Sequence, residues 1–195
     1  VMEDALRSAG IPYVIVRGTA FYQRAEVKDA LGYLRLVANP ADEVSLRRIV
    51  NKPARKIGNT ALDRVEAAAN EWGTTLFQAM RRVDAIGNMT PQATNAIQRF
   101  VGTIDGWTGA GSFLGQDVPA SLAALVERVI RESGLETYYK KERAKRGVES
   151  DEDRVANLEE LVSSAREFEL EYDPEDDPGM APDAQTLASR PADSQ

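Results

Sequence analysis

The chain has 195 residues, 43% of them hydrophobic, which is enough for one core of ordinary size and a smaller second lobe. It contains no cysteine and no histidine. Thiolate and imidazole catalysis, zinc sites built from those side chains, disulfides and an imidazole pH switch are therefore excluded. The apolar runs are only a few residues long, so we expect a soluble intracellular chain without a membrane span.

The net charge of −7 comes from the end of the chain rather than from its whole length. From Glu169 onward there are eight acidic residues and one base, Arg190, and this segment alone carries −7. Residues 1–168 hold 23 bases and 23 acids and are neutral. The acidic balance of the whole chain is therefore no argument against an anionic partner.

The spacing of apolar residues predicts a mainly α protein, an irregular multi-helix bundle with one short strand near its start. A short helix is predicted over 2–9, and β-branched and aromatic side chains favour a strand over 11–16. After Gly18 the period is helical throughout. The further predicted helices are 25–39, 42–50, 60–72, 75–86, 91–107, 120–133, 135–146 and 152–169.

The last residues, 173–195, are predicted to form a disordered acidic tail. They contain four prolines and many acids but few sizeable apolar groups, so little can be buried to offset the chain entropy. The first residue, Val1, is not an initiator methionine, and we expect a segment cut from a longer protein. The compact helical part is predicted to span 18–172.

The most informative stretch is the predicted loop between two helices at 51–60. Five bases and no acid lie between Arg47 and Leu62. An Ile-Gly pair just before a helix N-terminus exposes backbone N–H groups at the positive end of the helix dipole, which suits a phosphate. The alternative is a plain hairpin of two helices with solvated bases and Asn59 or Thr60 as the N-cap.

A second basic stretch lies at 138–146, where two tyrosines precede five bases. It can be read as a second patch that contacts a nucleic-acid backbone. Helix-end chemistry explains it at least as well, because bases suit the C-terminus of one helix and the acids after Gly147 suit the start of the next. The bases of this secondary patch are Lys140, Lys141, Arg143, Lys145 and Arg146.

Other stretches resemble known motifs but differ from them in spacing or in position. The glycine-rich stretch 109–115 has the wrong spacing for a dinucleotide loop, and the stretch that begins at 173 lacks the sixth-position glycine and the closing glutamate of a calcium loop. No P-loop occurs, and the adjacent carboxylates of Glu159 and Glu160 point to different sides of a helix. We therefore predict no metal site, no catalytic residue and no cofactor within this chain.

Three stretches carry a family resemblance in their order and spacing. Residues 4–39 include Phe-Tyr-Gln-Arg-Ala-Glu-Val-Lys-Asp-Ala-Leu, 50–58 read Val-Asn-Lys-Pro-Ala-Arg-Lys-Ile-Gly, and 154–161 read Arg-Val-Ala-Asn-Leu-Glu-Glu-Leu. Over residues 1 to about 170 the chain resembles the 2B domain of UvrD/PcrA/Rep-type superfamily 1 DNA helicases. The second stretch resembles the family's Asn-x-Pro-x-Arg-Gly-Ile-Gly loop, with Lys56 in place of the first glycine.

The resemblance implies an accessory, regulatory domain of an ATP-dependent 3'-5' DNA helicase that acts in DNA repair or replication. Such a domain is a helical insertion in the second motor domain, swivels about a hinge, contacts duplex DNA or a single-strand/double-strand junction, and takes part in self-association. ATP and Mg²⁺ would bind the motor outside this chain, and the protein would be cytoplasmic and nucleoid-associated.

The resemblance also assigns roles along the chain. Residues 1–17 would be the edge of motor domain 2A and the hinge, 18–172 the 2B domain, and 173–195 an acidic linker back to the motor. The implied hinge residues are Gly18, Phe21, Arg24 and Glu26. The predicted DNA-contact residues are Asn51, Lys52, Pro53, Arg55, Lys56, Ile57, Gly58, Asn59 and Thr60.

Three other functions are weighed against DNA contact. A protein-interaction module for dimerisation or autoinhibition, without useful DNA binding in isolation, fits the neutral body. A freestanding transcription regulator would need a recognition helix, whereas the bases here lie in loops and at helix ends. An independent enzyme is disfavoured most, because the chain lacks histidine, cysteine and a nucleotide loop.

Overall fold

The computed structural model describes residues 19–108, 121–146 and 153–172. Within these ranges the chain is helical and has no strand, so the mainly α class is confirmed. The predicted helix at 2–9, strand at 11–16, glycine-rich stretch at 109–115 and acidic tail at 173–195 lie outside them. The described helices are α1 (Thr19–Gln23), α2 (Ala25–Ala38), α3 (Glu43–Ile49), α4 (Asn59–Trp72), α5 (Leu76–Arg81), α6 (Pro91–Thr108), α7 (Leu122–Glu132), α8 (Leu135–Arg146) and α9 (Arg154–Glu171).

Most helix ends agree with the predicted ones to within two residues, because their caps are local. The side chains of Asp42, Thr75, Ser121 and Asp153 accept hydrogen bonds from backbone N–H groups in the first turns of α3, α5, α7 and α9. At the other end of α4, Gly73 takes the left-handed conformation that closes a helix (φ +60°).

Two local predictions are corrected. The N-cap of α4 is Gly58 rather than Asn59 or Thr60, because the Gly58 carbonyl already accepts the N–H groups of Ala61 and Leu62 at 3.0 and 3.1 Å. The predicted helix 75–86 is also interrupted at Arg82. Its N–H bonds back three residues, and the chain continues as a 3-10 turn over Val83–Ala85.

Helix α2 lies at the centre of the bundle and packs against α3, α6, α7, α8 and α9. Its Tyr33 is fully buried, with its ring edge-to-face against Trp107 of α6 at 5.8 Å between centroids. Burial raises the pKa of Tyr33 to about 12, so its hydroxyl is neutral at ordinary pH. It donates to the Lys52 carbonyl at 2.6 Å, so the central helix holds the loop after α3 directly.

Close packing of α2 against α3 gives a prediction at Gly32. A Cβ added there would lie 2.7 Å from Cγ2 of Ile49, so Gly32→Ala forces the two helices apart. We expect a net loss of about 1–2 kcal/mol in the free energy of unfolding, despite the better helix propensity of alanine. Urea denaturation followed by circular dichroism measures it.

The matched control is Gly102→Ala in the middle of α6. A Cβ there meets nothing within 4 Å, so only the propensity gain remains. We expect the free energy of unfolding to rise by about 0.5–1 kcal/mol. Equal effects at both positions would contradict the packing argument.

Candidate nucleic-acid interface

The loop between α3 and α4 is held in shape by Asn51. Its side-chain oxygen accepts the N–H of Ile57 at 3.2 Å, and its amide donates to the Ile57 carbonyl. Ile57 is 1% exposed and anchors the loop in the core. The hydrogen bonds between Asn51 and Ile57 thus fix the conformation of the loop.

Arg55 ties this loop to three helices through its guanidinium group. Nη1 donates to the carbonyl of Ile49 at 3.1 Å, and Nη2 donates to the Tyr33 hydroxyl at 2.6 Å and the Ser133 carbonyl at 3.0 Å. The guanidinium also lies 5.3 Å from the ring centre of Phe100. Arg55 therefore acts here as a bridge within the fold, with its donors turned to internal acceptors.

Three other bases of the acid-free stretch are also paired, with partners supplied by other parts of the chain. The pairs are Arg47 with Glu66 (2.9 Å), Arg48 with buried Asp29 (2.7 Å), and Lys52 with the hydroxyl of Tyr138 (3.1 Å). Two of the five bases are therefore paired with carboxylates in the folded protein, while Lys52 and Arg55 are held by uncharged acceptors.

Lys56 differs from its neighbours. It is exposed, and within the described residues its side chain makes no hydrogen bond or ion pair. Its backbone is left-handed, with φ +63°, a region that favours glycine. Glycine adopts this conformation at little cost, whereas a residue with a side chain is strained in it. Here the fold holds a lysine in that conformation and presents its ammonium group to solvent.

Two open grooves flank Lys56. One, of about 490 Å³, lies between the loop, α6 and α7, and the other, of about 330 Å³, lies between the start of α4 and the start of α6. Gly58 and Thr60 line the second groove, and nothing lies within 4 Å of a Cβ built on Gly58. Lys56 and Gln92 line both grooves.

The α6 side of these grooves was not predicted to take part. It brings in the exposed side chains of Gln92 and Arg99, and α4 adds Arg64, whose guanidinium donates to the Asn88 carbonyl. A signal existed in the sequence, because the triplet Ile-Gly-Asn at 57–59 recurs at 86–88 shortly before α6. The starts of α4 and α6 border one groove through Gly58 and Gln92, whereas the residues of the second triplet line a different groove.

The predicted hinge residues join the first and third motifs. Glu26 is 1% exposed and accepts a hydrogen bond from Nδ2 of Asn157 at 2.6 Å, while Arg24 donates to Oδ1 of the same Asn157. Arg154 lies 3.8 Å from the Glu26 carboxylate. Phe21 packs against the core, and Gly18 lies outside the described residues.

The secondary basic patch is only partly described. Lys140 pairs with Glu136 one turn earlier, and Lys141 is exposed. Tyr139 is buried and donates to Asp29, and this burial raises its pKa well above the ordinary range. The side chains of Arg143, Lys145 and Arg146 lie outside the described residues.

Metal binding and membrane insertion would each need a recognisable feature of the fold. Among the described residues, no group of three carboxylates is placed to hold a metal ion. No described helix has the length and apolar character needed to cross a bilayer. Within the described part of the chain, the charged loop and its two grooves form the candidate functional site.

Comparison with known proteins identifies the family. The model of the UvrD-like helicase C-terminal domain matches residues 1–178. The chain belongs to this family. It is 39% identical over 176 residues to DNA helicase II of Escherichia coli (strain K12), covering 90% of this chain and 23% of that protein.

Two further members of the UvrD-like helicase family agree. ATP-dependent DNA helicase PcrA of Bacillus subtilis (strain 168) is 37% identical over 169 residues, covering 87% of this chain and 21% of that protein. ATP-dependent DNA helicase PcrA of Leuconostoc citreum is 30% identical over 181 residues, covering 93% of this chain and 23% of that protein. The chain spans less than a quarter of the length of each of these relatives.

Proposed function

We propose that this chain is the 2B-type regulatory domain of an ATP-dependent DNA helicase and contacts duplex DNA, or a single-strand/double-strand junction, through the loop 51–60. The observation that carries the proposal is Lys56. It is exposed and without a described side-chain partner, on a loop held rigidly by Asn51 and Arg55. Membership of the helicase family supports a nucleic-acid partner.

The loop residues divide into two roles in this proposal. Asn51, Arg55 and Ile57 shape the loop, as does Lys52 through its bond to Tyr138. The residues that face DNA are Lys56, Gly58, Asn59 and Thr60. At the start of α4 the helix dipole and free backbone N–H groups favour a phosphate, and the open space at Gly58 allows the close approach.

The proposal extends to the longer protein. We place ATP and Mg²⁺ in motor domains outside this chain, the edge of the motor and the hinge at 1–17, the regulatory domain at 18–172, and the linker at 173–195. The contacts of Glu26 and Arg24 with Asn157 tie the start of the domain to its last helix. This bracing suits a domain that swivels as one body, in a cytoplasmic protein that acts on the nucleoid in repair or replication.

The DNA contact is tested by Lys56→Ala. We expect duplex affinity to fall about five-fold at low salt, and the slope of log affinity against log salt to shrink by about one, because one phosphate contact is lost. Alanine keeps the Cβ and hence the same backbone strain, so folding stays unchanged. Fluorescence anisotropy with a labelled duplex at several salt concentrations measures both quantities.

Lys141→Ala is the matched control, because it removes an exposed lysine from α8 away from both grooves. Its affinity is expected to equal that of the wild type. Unchanged affinity in Lys56→Ala, or an equal loss in both variants, would contradict the loop assignment and favour only diffuse charge attraction.

A second candidate function, self-association or docking on the motor domains, has its own observation. The end of α9 exposes Phe168 (54%) and Leu170 (83%), and the Phe168 ring lies 5.3 Å from that of Tyr172. Exposed apolar side chains of this size are typical of a surface that binds another protein. Solution mass measured over a concentration series distinguishes self-association, since a chain that stays monomeric at high concentration excludes it.

A further inference from the structure

We infer that the exposed face of α6 is a second phosphate contact, with Arg99 as its charged residue, and that Arg99 and Lys56 hold one DNA backbone between them. The inference rests on the proposed function and adds a residue and a helix to its site. Neither the sequence motifs nor the family match assigns a role to α6.

The first observation is the position of Arg99. It is exposed and lines the groove of about 490 Å³ together with Lys56, on the opposite element. Within the described residues no hydrogen bond or ion pair of its guanidinium is present, in contrast to Arg55, Arg64 and Arg81. Two cations without a partner among the described residues thus border one groove.

The second observation is the character of the α6 face. Gln92, Ala96, Arg99 and Thr103 line the groove, at spacings of four, three and four residues, so they form one stripe along the helix. Two of these side chains, Gln92 and Arg99, are exposed donors separated by the small Ala96, while the Thr103 hydroxyl already donates to the Arg99 carbonyl. Such a surface lets a phosphodiester backbone approach closely and offers it the Gln92 amide and the Arg99 guanidinium as donors.

The one acidic side chain lining this groove is already engaged. Glu132 accepts a hydrogen bond from Nε1 of Trp107 at 2.7 Å and pairs with Arg128 at 3.1 Å. Burial by itself would raise the pKa of Glu132, but the bonds from Trp107 and Arg128 lower it below its usual value. The carboxylate is therefore ionised and paired with Arg128. The positive charges of Lys56 and Arg99 remain able to attract an anion into the groove.

A nucleic acid fits this groove better than an acidic protein segment does. Protein interfaces are anchored by apolar and aromatic side chains in their centre. The large hydrophobic side chains that the described surface exposes all lie elsewhere. The one aromatic ring in the groove, Phe100, is 1% exposed and forms its floor beneath Arg55.

The test is duplex binding by Arg99→Ala, Lys56→Ala and the double variant, each checked for an unchanged thermal melt. We expect Arg99→Ala to lose about five-fold in affinity at low salt and about one unit of salt slope. The double variant is expected to lose about two units of slope, because two contacts with DNA phosphates are lost. Arg35→Ala, which removes an exposed arginine of α2 outside the groove, serves as the control.

The outcomes separate the two proposals. If Lys56→Ala weakens binding and Arg99→Ala matches Arg35→Ala, the inference about α6 is overturned while the loop contact stands. If neither variant differs from Arg35→Ala, or the wild-type chain binds no duplex at low salt, both are overturned. Binding of polyglutamate is measured in parallel to test for an acidic polypeptide as the partner. If Arg99→Ala lost affinity for polyglutamate and for duplex DNA equally, the inference about α6 would also be overturned.

Discussion

Replacing Arg55 by alanine is expected to lower the free energy of unfolding by about 3–5 kcal/mol and to abolish duplex binding by the loop. The guanidinium bridges the carbonyls of Ile49 and Ser133 and the hydroxyl of Tyr33. Truncation leaves these acceptors without their donor and removes the contact with the Phe100 ring. The loop then loses its attachment to the end of α7 and one of its two contacts with Tyr33 of α2, whose hydroxyl still donates to the Lys52 carbonyl.

Two variants sharpen this result. Arg55→Lys is expected to restore little stability, because a single ammonium group cannot reach acceptors on three sides as a planar guanidinium does. Arg99→Ala, which removes an exposed arginine, is expected to melt like the wild type. Chemical denaturation and duplex titration are measured on the same samples. If Arg55→Ala kept full stability and lost only binding, Arg55 would be a direct phosphate contact and not a bridge within the fold.

The second large effect is expected at Asn157. Asn157→Leu keeps the size of the side chain but removes the donor to Glu26 and the acceptor for Arg24. The Glu26 carboxylate, 1% exposed, is then left with Arg154 at 3.8 Å. A loss of about 2–4 kcal/mol in the free energy of unfolding is expected, since a buried charge without hydrogen bonds is costly. Urea denaturation measures it.

The control for Asn157→Leu is Asn70→Leu, at an exposed position of α4. We expect it to change the stability by less than about 0.5 kcal/mol. The double variant Glu26→Leu with Asn157→Leu is expected to regain much of the loss, because removing both partners leaves no buried charge. A double variant less stable than Asn157→Leu alone would contradict the assignment of Glu26 as the source of the penalty.

The helices were predictable because their signals are local. Apolar residues at helical spacing and caps such as Asp42 and Asp153 act within a few residues. Two helix ends depart from the predicted pattern. Gly58 replaced the predicted cap, and α5 stopped at Arg82, whose side chain stacks on Trp72 of another helix at 4.2 Å. That stacking partner is ten residues away and invisible to a local pattern.

The candidate site was predictable only in outline. The sequence located a basic loop before a helix, and the fold buries Ile57 of that loop in the core. It could not separate the roles of Arg55 and Lys56, which look alike as adjacent bases. It also missed Arg99, which lies 43 positions beyond Lys56 in the numbering and borders the same groove only after folding.

By itself the sequence determined the mainly α class, the exclusion of cysteine and histidine chemistry, and the concentration of negative charge from Glu169 onward. These depend on composition and on short-range periodicity. Tertiary structure alone decided which bases remain available to a partner. Glu66 and Asp29 reach Arg47 and Arg48 from other helices and balance their charges, and the Tyr138 hydroxyl engages Lys52. The fold leaves Lys56 and Arg99 on the same groove, because only packing brings together residues that are distant in sequence.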